Sequence, residues 1–177
     1  MKFYAHTAED ENGNRLPKAA WQLLKDHLLQ VAELAKGFAS ALRLETEAFL
    51  AGLLHDLGKY AERFQARLDD NSIHGINHWT AGARKAAELK ASLVDYAVDG
   101  HHTGLPAAGD LRQSLVKMAD AILTRELTGC AESVEELMAR LVAEGVQLPS
   151  APARRQTSSF SGPPAVAATV APSALPI

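Results

Sequence analysis

Hydrophobic residues recur at three- and four-residue intervals along most of the first 143 residues, the spacing of helices that bury one face. The clearest run predicts a long helix that follows Pro17, a residue suited to a helix's first turn. Its apolar positions are expected to form one buried stripe: Leu24, Leu28, Val31, Leu34, Ala35 and Phe38. A second helix is predicted to start near Thr46 as its cap and to carry Phe49, Leu50, Leu53, Leu54 and Leu57 before Gly58.

The same periodicity continues toward the C-terminus. It predicts further helices over Ala61 to Leu68, Trp79 to Leu89, Leu93 to His101, Leu111 to Leu127 and Val134 to Ala143. No convincing alternation of apolar and polar residues, the pattern of a half-buried strand, occurs anywhere. The fold is therefore predicted to be all-α.

The last 27 residues differ sharply from the rest of the chain. Residues 151–177 hold five of the eight prolines, seven alanines and no acidic residue, so they are expected to form an unstructured Pro/Ala-rich tail. A linker, a truncation scar and an altered reading frame all fit this composition. Residues 1–150 are interpreted as one domain, because 177 residues with 47% hydrophobic content suffice for a single core.

Charge and cysteine content narrow the chemistry. The formal net charge of -3 matches neither a basic duplex-DNA reader nor an acidic tail. The single cysteine, Cys130, excludes an internal disulfide framework and a thiolate zinc cluster. Because the N-terminus lacks a signal-peptide pattern and no apolar run is long enough to span a membrane, a soluble, cytoplasmic protein is expected. Any metal must be held by His and carboxylate ligands.

The histidines supply such ligands at several helices. His27 shares the register of Leu24 and Leu28, so its imidazole is predicted to point inward, either to bond a carbonyl or to bind a metal. His55 and Asp56 interrupt an apolar helix, where an uncompensated aspartate would be costly to bury and a metal would compensate its charge.

The later histidines are less specific individually. His78 precedes the small residues 81–83, which suit close helix packing, and it is either a helix start or a ligand. His101 and His102 end a helix beside Gly100 and Gly104, where both could reach one site or interact with the helix dipole. The joint pattern gives six candidate ligands: His27, His55, Asp56, His78, His101 and His102.

Six nitrogen and oxygen ligands exceed what one tetrahedral zinc takes, and they suit two divalent ions that share the Asp56 carboxylate. Imidazole-rich ligation favours Mn, Fe, Co, Ni or Zn over Mg. Five of the six ligands are neutral, so two ions would leave a positive site that attracts phosphate.

Paired ions activate water and clamp the attacking and leaving oxygens at phosphorus, which predicts hydrolysis of a phosphate ester. Asp56 and Lys59 are the predicted catalytic residues, with Lys59 either stabilising transition-state charge or remaining an ordinary surface lysine.

Four basic residues follow these motifs and are predicted either to line a groove for a nucleic-acid backbone or to form a solvated face. They are Arg63, Arg67, Arg84 and Lys85.

The chain resembles the HD superfamily, and within it the HD nuclease of type I CRISPR interference, which occurs at the N-terminus of a helicase-nuclease or as a separate chain. The resemblance covers about residues 4–106 and rests on ordered blocks: Tyr4-Ala-His6, Asp26-His-Leu28, Ala51-Gly-Leu-Leu-His-Asp-Leu-Gly-Lys59, Phe64-Gln-Ala-Arg-Leu68, His78-Trp-Thr-Ala-Gly82 and Gly100-His-His-Thr-Gly-Leu-Pro106. It implies a helical domain around a central metal site, the same six metal ligands, a supporting Lys59 and metal-dependent cutting of single-stranded DNA in an R-loop. The implied partners are a helicase and a CRISPR surveillance complex.

Two departures from that family qualify the resemblance. The chain stops before any helicase, so a separate helicase is expected. The family's later Asp, in a Ser-Cys-Leu-Val-Asp-Ala-Asp-like helix, is missing, and Asp120 is a possible substitute whose spacing looks too short. The alternatives are an HD phosphohydrolase acting on nucleotides, and an inactive metal-binding fragment that docks a helicase or surveillance complex.

Overall fold

The computed structural model describes residues 1–104 and 128–149. Within these ranges the chain forms six α-helices and two short strands: β1 (Tyr4–His6), β2 (Gln22–Leu23), α1 (Leu24–Ala39), α2 (Glu45–Leu54), α3 (Glu62–Asp69), α4 (Thr80–Glu88), α5 (Ser92–Thr103) and α6 (Val134–Ala143). The helical fold class is confirmed. The helix predicted over Leu111 to Leu127, Asp120 and the tail 151–177 all lie outside the described residues.

A small antiparallel sheet, which the hydrophobic pattern does not predict, lies near the N-terminus. Strand β1 pairs with β2 so that Tyr4 lies opposite Leu23 and His6 opposite Gln22. The strands have three and two residues, which is too few for alternation to be recognised. Pro17 begins no long helix: it precedes a single 3-10 turn, Lys18–Ala20, and α1 starts only after β2.

The buried face of α1 differs from the predicted stripe. Leu24, Leu28 and Ala32 are fully buried, whereas Leu34 is 61% exposed and Phe38 is 84% exposed. The buried side turns toward Ala32 because α2 packs closest there. A Cβ on Gly52 of α2 would lie 2.4 Å from the Ala32 Cα atom, so the small residues set the helix contact.

Helix α2 begins one residue before Thr46, and the residue at its N-cap is Leu44, which makes no side-chain capping bond. The prediction of Thr46 as the cap is therefore wrong. The helix ends at Leu54, and a 3-10 helix (Leu57–Tyr60) follows after His55 and Asp56. The predicted apolar positions of this segment are buried, with Phe49 only partly so. His55 and Asp56 thus lie between two helical segments whose leucines are buried.

Two further glycines allow backbones to approach where the site is built. A Cβ on Gly82 of α4 would lie 1.8 Å from the Leu54 carbonyl oxygen. A Cβ on Gly58 would lie 2.6 Å from the His78 carbonyl oxygen, which accepts a hydrogen bond from the Gly58 amide at 2.9 Å. Small residues therefore bring the start of α4 against the end of α2, as the sequence analysis expected for residues 81–83.

Helix α6 supports the 3-10 segment from the other side. It spans the predicted residues and begins with a capping box in which Ser133 and Glu136 bond each other's backbone amides. The Arg140 guanidinium donates to the Tyr60 carbonyl oxygen at 2.6 Å, and the Tyr60 hydroxyl donates to Glu144 at 2.6 Å. These bonds fix the backbone that carries Lys59.

Among the described residues, no helix combines the length and apolar character needed to cross a membrane.

Candidate metal centre

The candidate site is centred on Asp56, which follows α2 and is 3% exposed. A carboxylate in such a position loses its hydration, so it requires nearby donors or cations. The two carboxylate oxygens face different groups of histidines. The chain thus divides its imidazoles into two sets, one against each oxygen of Asp56.

The first set faces Asp56 Oδ2. His27 Nε2, from the first turn of α1, lies 3.1 Å from this oxygen, and His55 Nε2 also lies 3.1 Å from it. The two Nε2 atoms are 3.2 Å apart. The inward orientation predicted for His27 is confirmed, and its ring contacts the site instead of bonding a backbone carbonyl.

The second set faces Asp56 Oδ1. His78 Nε2, just before α4, lies 3.3 Å from this oxygen, and His101 Nε2, in the last turn of α5, lies 3.9 Å from it. His102 completes the set, with its Nε2 2.9 Å from that of His78. The ligand atoms of Asp56, His78, His101 and His102 all lie within 4.8 Å of one another. All six predicted ligand residues therefore converge on one place.

Backbone carbonyls orient two of the rings. The His55 Nδ1 atom lies 2.8 Å from the Gly52 carbonyl oxygen, and the His101 Nδ1 atom lies 2.6 Å from the Val98 carbonyl oxygen. Since a carbonyl only accepts, each Nδ1 carries the proton, and the neutral ring presents a lone pair at Nε2. This arrangement is typical of metal-binding histidines.

Lys59 is buried, which excludes the interpretation as an ordinary surface lysine. It is 5% exposed, and its ammonium lies 2.8 Å from Asp56 Oδ2 and 3.4 Å from the Ala5 carbonyl oxygen. The whole side chain is buried, and its ammonium lies in the site. The site therefore contains a lysine ammonium paired with the shared carboxylate.

The protonation states favour metal ligation. Burial of Asp56 opposes ionisation, but the neighbouring His27 and His55 imidazoles and the charge of Lys59 outweigh it and hold the pKa of this carboxyl well below its usual range. Burial lowers the pKa of His78 to about 4, with the Lys59 charge adding to the effect. Burial also lowers the pKa of His101. Near neutral pH the site thus offers an ionised carboxylate at Asp56 and neutral imidazoles at His78 and His101.

The residues present fit a divalent metal ion. Asp56 Oδ1 and His78 Nδ1 are buried and have no hydrogen-bond partner among the described residues. The Nε2 lone pairs of His55 and His101 converge on the carboxylate oxygens, where lone pairs repel unless a cation lies between them. Imidazole and carboxylate are ligands for Mn, Fe, Co, Ni and Zn.

A cavity of about 500 Å³ opens at this cluster and includes Arg67 in its wall. A neighbouring cavity of about 370 Å³ shares Arg67 and is lined by Asn77 and Trp79. The other three basic residues of the predicted groove have other roles. Arg63 donates to the Gly129 and His74 carbonyl oxygens, and both Arg84 and Lys85 pair with Glu88.

His6 lies at the site but was not among the predicted ligands. Its ligand atom lies within 4.8 Å of those of His27 and Asp56, and its Nε2 is 3.5 Å from the Lys59 ammonium. Burial and the Lys59 charge lower the pKa of His6. The available signal was the Tyr4-Ala-His6 block of the resemblance, since a lone histidine in a polar N-terminal segment has no periodicity to indicate its direction.

Comparison with known proteins agrees with this geometry. A search of curated proteins finds no match to the chain. The HD domain family matches residues 24–125, a range that includes every predicted ligand. HD domains are a superfamily of metal-dependent phosphohydrolases, and the His/Asp cluster has the composition that such a metal site requires. The chain belongs to the HD domain family.

Proposed function

We propose that this chain is a metal-dependent nuclease that hydrolyses phosphodiester bonds of single-stranded DNA, with two divalent ions bound on either side of Asp56. The observation that carries the proposal is the division of the imidazoles between the two oxygens of one buried carboxylate. A carboxylate that binds one ion through each of its oxygens can hold two ions close together. Enzymes that hydrolyse phosphodiesters with two metal ions use such a short distance between the ions.

The protein's own groups would each have a defined task. His27 and His55 would hold one ion and His78, His101 and His102 the other, and these ions, when bound, supply a nucleophile at neutral pH and neutralise phosphoryl oxygens. Asp56 stays ionised over the working pH range because of its depressed pKa. Lys59 is held 2.8 Å from Asp56, from where its ammonium can stabilise the negative charge that develops at phosphorus.

A polymeric substrate is favoured over a mononucleotide by the second cavity. Arg67 belongs to both cavities, so one guanidinium can contact a phosphate between two adjacent nucleotides. Trp79 lines the second cavity and is only partly buried, so its ring offers a stacking surface for an unpaired base. A phosphate contact followed by an aromatic surface is typical of single-strand binding.

The CRISPR setting of the proposal rests on the ordered sequence blocks alone. In that setting the strand would be exposed by a surveillance complex and a separate helicase, and this chain would cut it. No base-reading element is expected, so cleavage would show little sequence preference.

The test is cleavage of circular single-stranded DNA by the purified chain with Mn²⁺, Co²⁺ or Ni²⁺ and with a chelator control. Asp56→Ala is expected to abolish cleavage without unfolding the protein. Asp56→Asn, whose amide oxygen can still accept from the Lys59 ammonium, and His102→Ala, which removes an exposed ring, are expected to do the same. Lys36→Ala is the matched control, because this exposed lysine pairs with Glu33 about 13 Å along α1 from His27.

Several outcomes would contradict the proposal. Full cleavage by Asp56→Asn would refute it. Release of phosphate from mononucleotides with circular DNA left intact would indicate a nucleotide phosphohydrolase instead. Metal binding without turnover of either substrate would indicate the inactive fragment.

Arg67→Ala should weaken binding of single-stranded DNA and raise KM with little change in kcat, because Arg67 lies beside the reacting centre.

A further inference from the structure

The small sheet places an additional histidine at the site. His6 is the last residue of β1, which pairs with β2 immediately before α1, the helix that carries His27. The Leu24 amide donates to the Phe3 carbonyl oxygen at 2.9 Å, which fastens the strand to the start of the helix. Ala5 is buried and His6 is exposed, as expected for neighbours on opposite faces of a strand.

The strand is also fastened to α3. The Gln65 amide group accepts from the Tyr4 amide at 3.0 Å and donates to the Tyr4 carbonyl oxygen at 2.9 Å. The same side chain donates to the Lys59 carbonyl oxygen at 2.7 Å. One glutamine thus connects the strand that carries His6 to the segment that carries Lys59. These contacts hold the backbone of the strand that carries His6.

The ring of His6 presents a lone pair toward the site. Its Nε2 atom lies 3.5 Å from the Lys59 ammonium, and because an ammonium group only donates, Nε2 is the accepting nitrogen. The ring also meets that of His27 edge to face, with centroids 5.0 Å apart. One ligand atom of His6 lies within 4.8 Å of those of His27 and Asp56, and an unprotonated ring nitrogen is the form that a metal ligand requires.

Without His6, the two sides of Asp56 differ in their number of protein ligands. The Oδ1 side has three imidazoles, whereas the predicted ligands of the Oδ2 side are two, His27 and His55. A transition-metal ion takes at least four ligands in most protein sites. With two imidazoles and one carboxylate oxygen, the Oδ2 side has one fewer than this number.

We infer that His6 is the third imidazole ligand of the metal ion on the Oδ2 side of Asp56, which makes the two halves of the centre equivalent in protein donors. This inference rests on the proposed two-ion centre. It assigns the N-terminal strand to the metal site, so that the sheet serves to deliver a ligand. Lys59 then lies beside this ion and contacts both His6 and Asp56.

The experiment measures bound metal directly. The full chain, His6→Ala, His6→Glu and His74→Ala are each titrated with Co²⁺ against a chromophoric chelator, and bound cobalt per chain is counted after desalting. His74 is the matched control because it is the one histidine of the seven outside the cluster. Thermal unfolding of each variant without metal verifies the fold, which the exposed His6 should barely affect.

The expected result is two ions for the full chain and for His74→Ala. His6→Ala is expected to bind the weaker ion at least tenfold less tightly, and His6→Glu, whose carboxylate reaches a similar distance, to recover part of that affinity. Two ions bound by His6→Ala with unchanged affinity would overturn the inference and leave the proposed nuclease intact. No ion bound by the full chain would overturn both.

Discussion

Replacing Gly82 by alanine tests the helix contact on which the site depends. The added Cβ would lie 1.8 Å from the Leu54 carbonyl oxygen, whereas such contacts essentially never fall below 3.0 Å. Helix α4 would therefore have to move away from α2 by more than 1 Å. Neither the added Cβ nor the Leu54 carbonyl oxygen can move aside as the end of a flexible side chain could. The steric clash is therefore expected to lower the free energy of unfolding by about 3 kcal/mol, the upper part of the range for overpacked cores.

The helix propensity gained by the substitution offsets about 1 kcal/mol of that cost, which leaves a net loss of about 2 kcal/mol. Gly37→Ala is the matched control, because Gly37 is exposed in α1 and its Cβ would meet nothing within 4 Å. That variant is expected to gain about 0.5–1 kcal/mol. Urea unfolding at constant pH measures both, and the predicted difference between the two variants is about 3 kcal/mol.

The Gly82→Ala variant should also bind metal more weakly, because α4 follows His78 and the displacement carries that ring away from Asp56. Equal stability of the Gly82→Ala and Gly37→Ala proteins would refute the close packing of α4 on α2. The position of His78 beside Asp56 would then require a cause other than this helix contact.

Three further predictions follow from other contacts. Tyr60→Phe removes the hydroxyl that donates to Glu144 at 2.6 Å, and should lower the free energy of unfolding by about 2 kcal/mol in urea titrations; an unchanged midpoint would contradict the contact. Burial, with the charge of Asp99, raises the pKa of Asp95 to about 7, so the folded state holds the proton more tightly than the unfolded state. Stability should therefore fall as pH rises from about 4 to about 7, and Asp95→Asn should flatten that slope in denaturation curves. Mn²⁺ at 100 times its Kd should stabilise the protein by about 2.7 kcal/mol, seen as a rise in Tm that a chelator reverses; a similar rise in Asp56→Asn would contradict binding at Asp56.

Periodicity predicted most of the helices, because their apolar faces are long enough to repeat. Helix α6 has the predicted bounds, and the convergence of the histidines followed from their positions at helix ends. The pattern could not show how α1 is rotated. Leu34 and Phe38 share the spacing of a buried stripe but are exposed, because Gly52 draws Ala32 into the contact.

The hydrophobic pattern could not predict contacts between residues that are far apart in the sequence. The strands are too short to alternate visibly, so neither the sheet nor the approach of His6 could be predicted from periodicity. The burial of Lys59 depends on Asp56 and on the backbone of Ala5, which is 54 residues away. Local sequence does not encode such long-range contacts.

The proposed centre places Asp56 between two metal ions, each held by histidines from different parts of the chain. The most direct measurement is a crystal structure of the full chain grown with Mn²⁺, with data collected at the manganese edge. The account predicts two anomalous peaks, one within about 2.0–2.3 Å of Asp56 Oδ2 and His27 and the other equally close to Oδ1 and His78. A map with fewer than two peaks at Asp56, from crystals grown at saturating Mn²⁺, would contradict the two-ion centre.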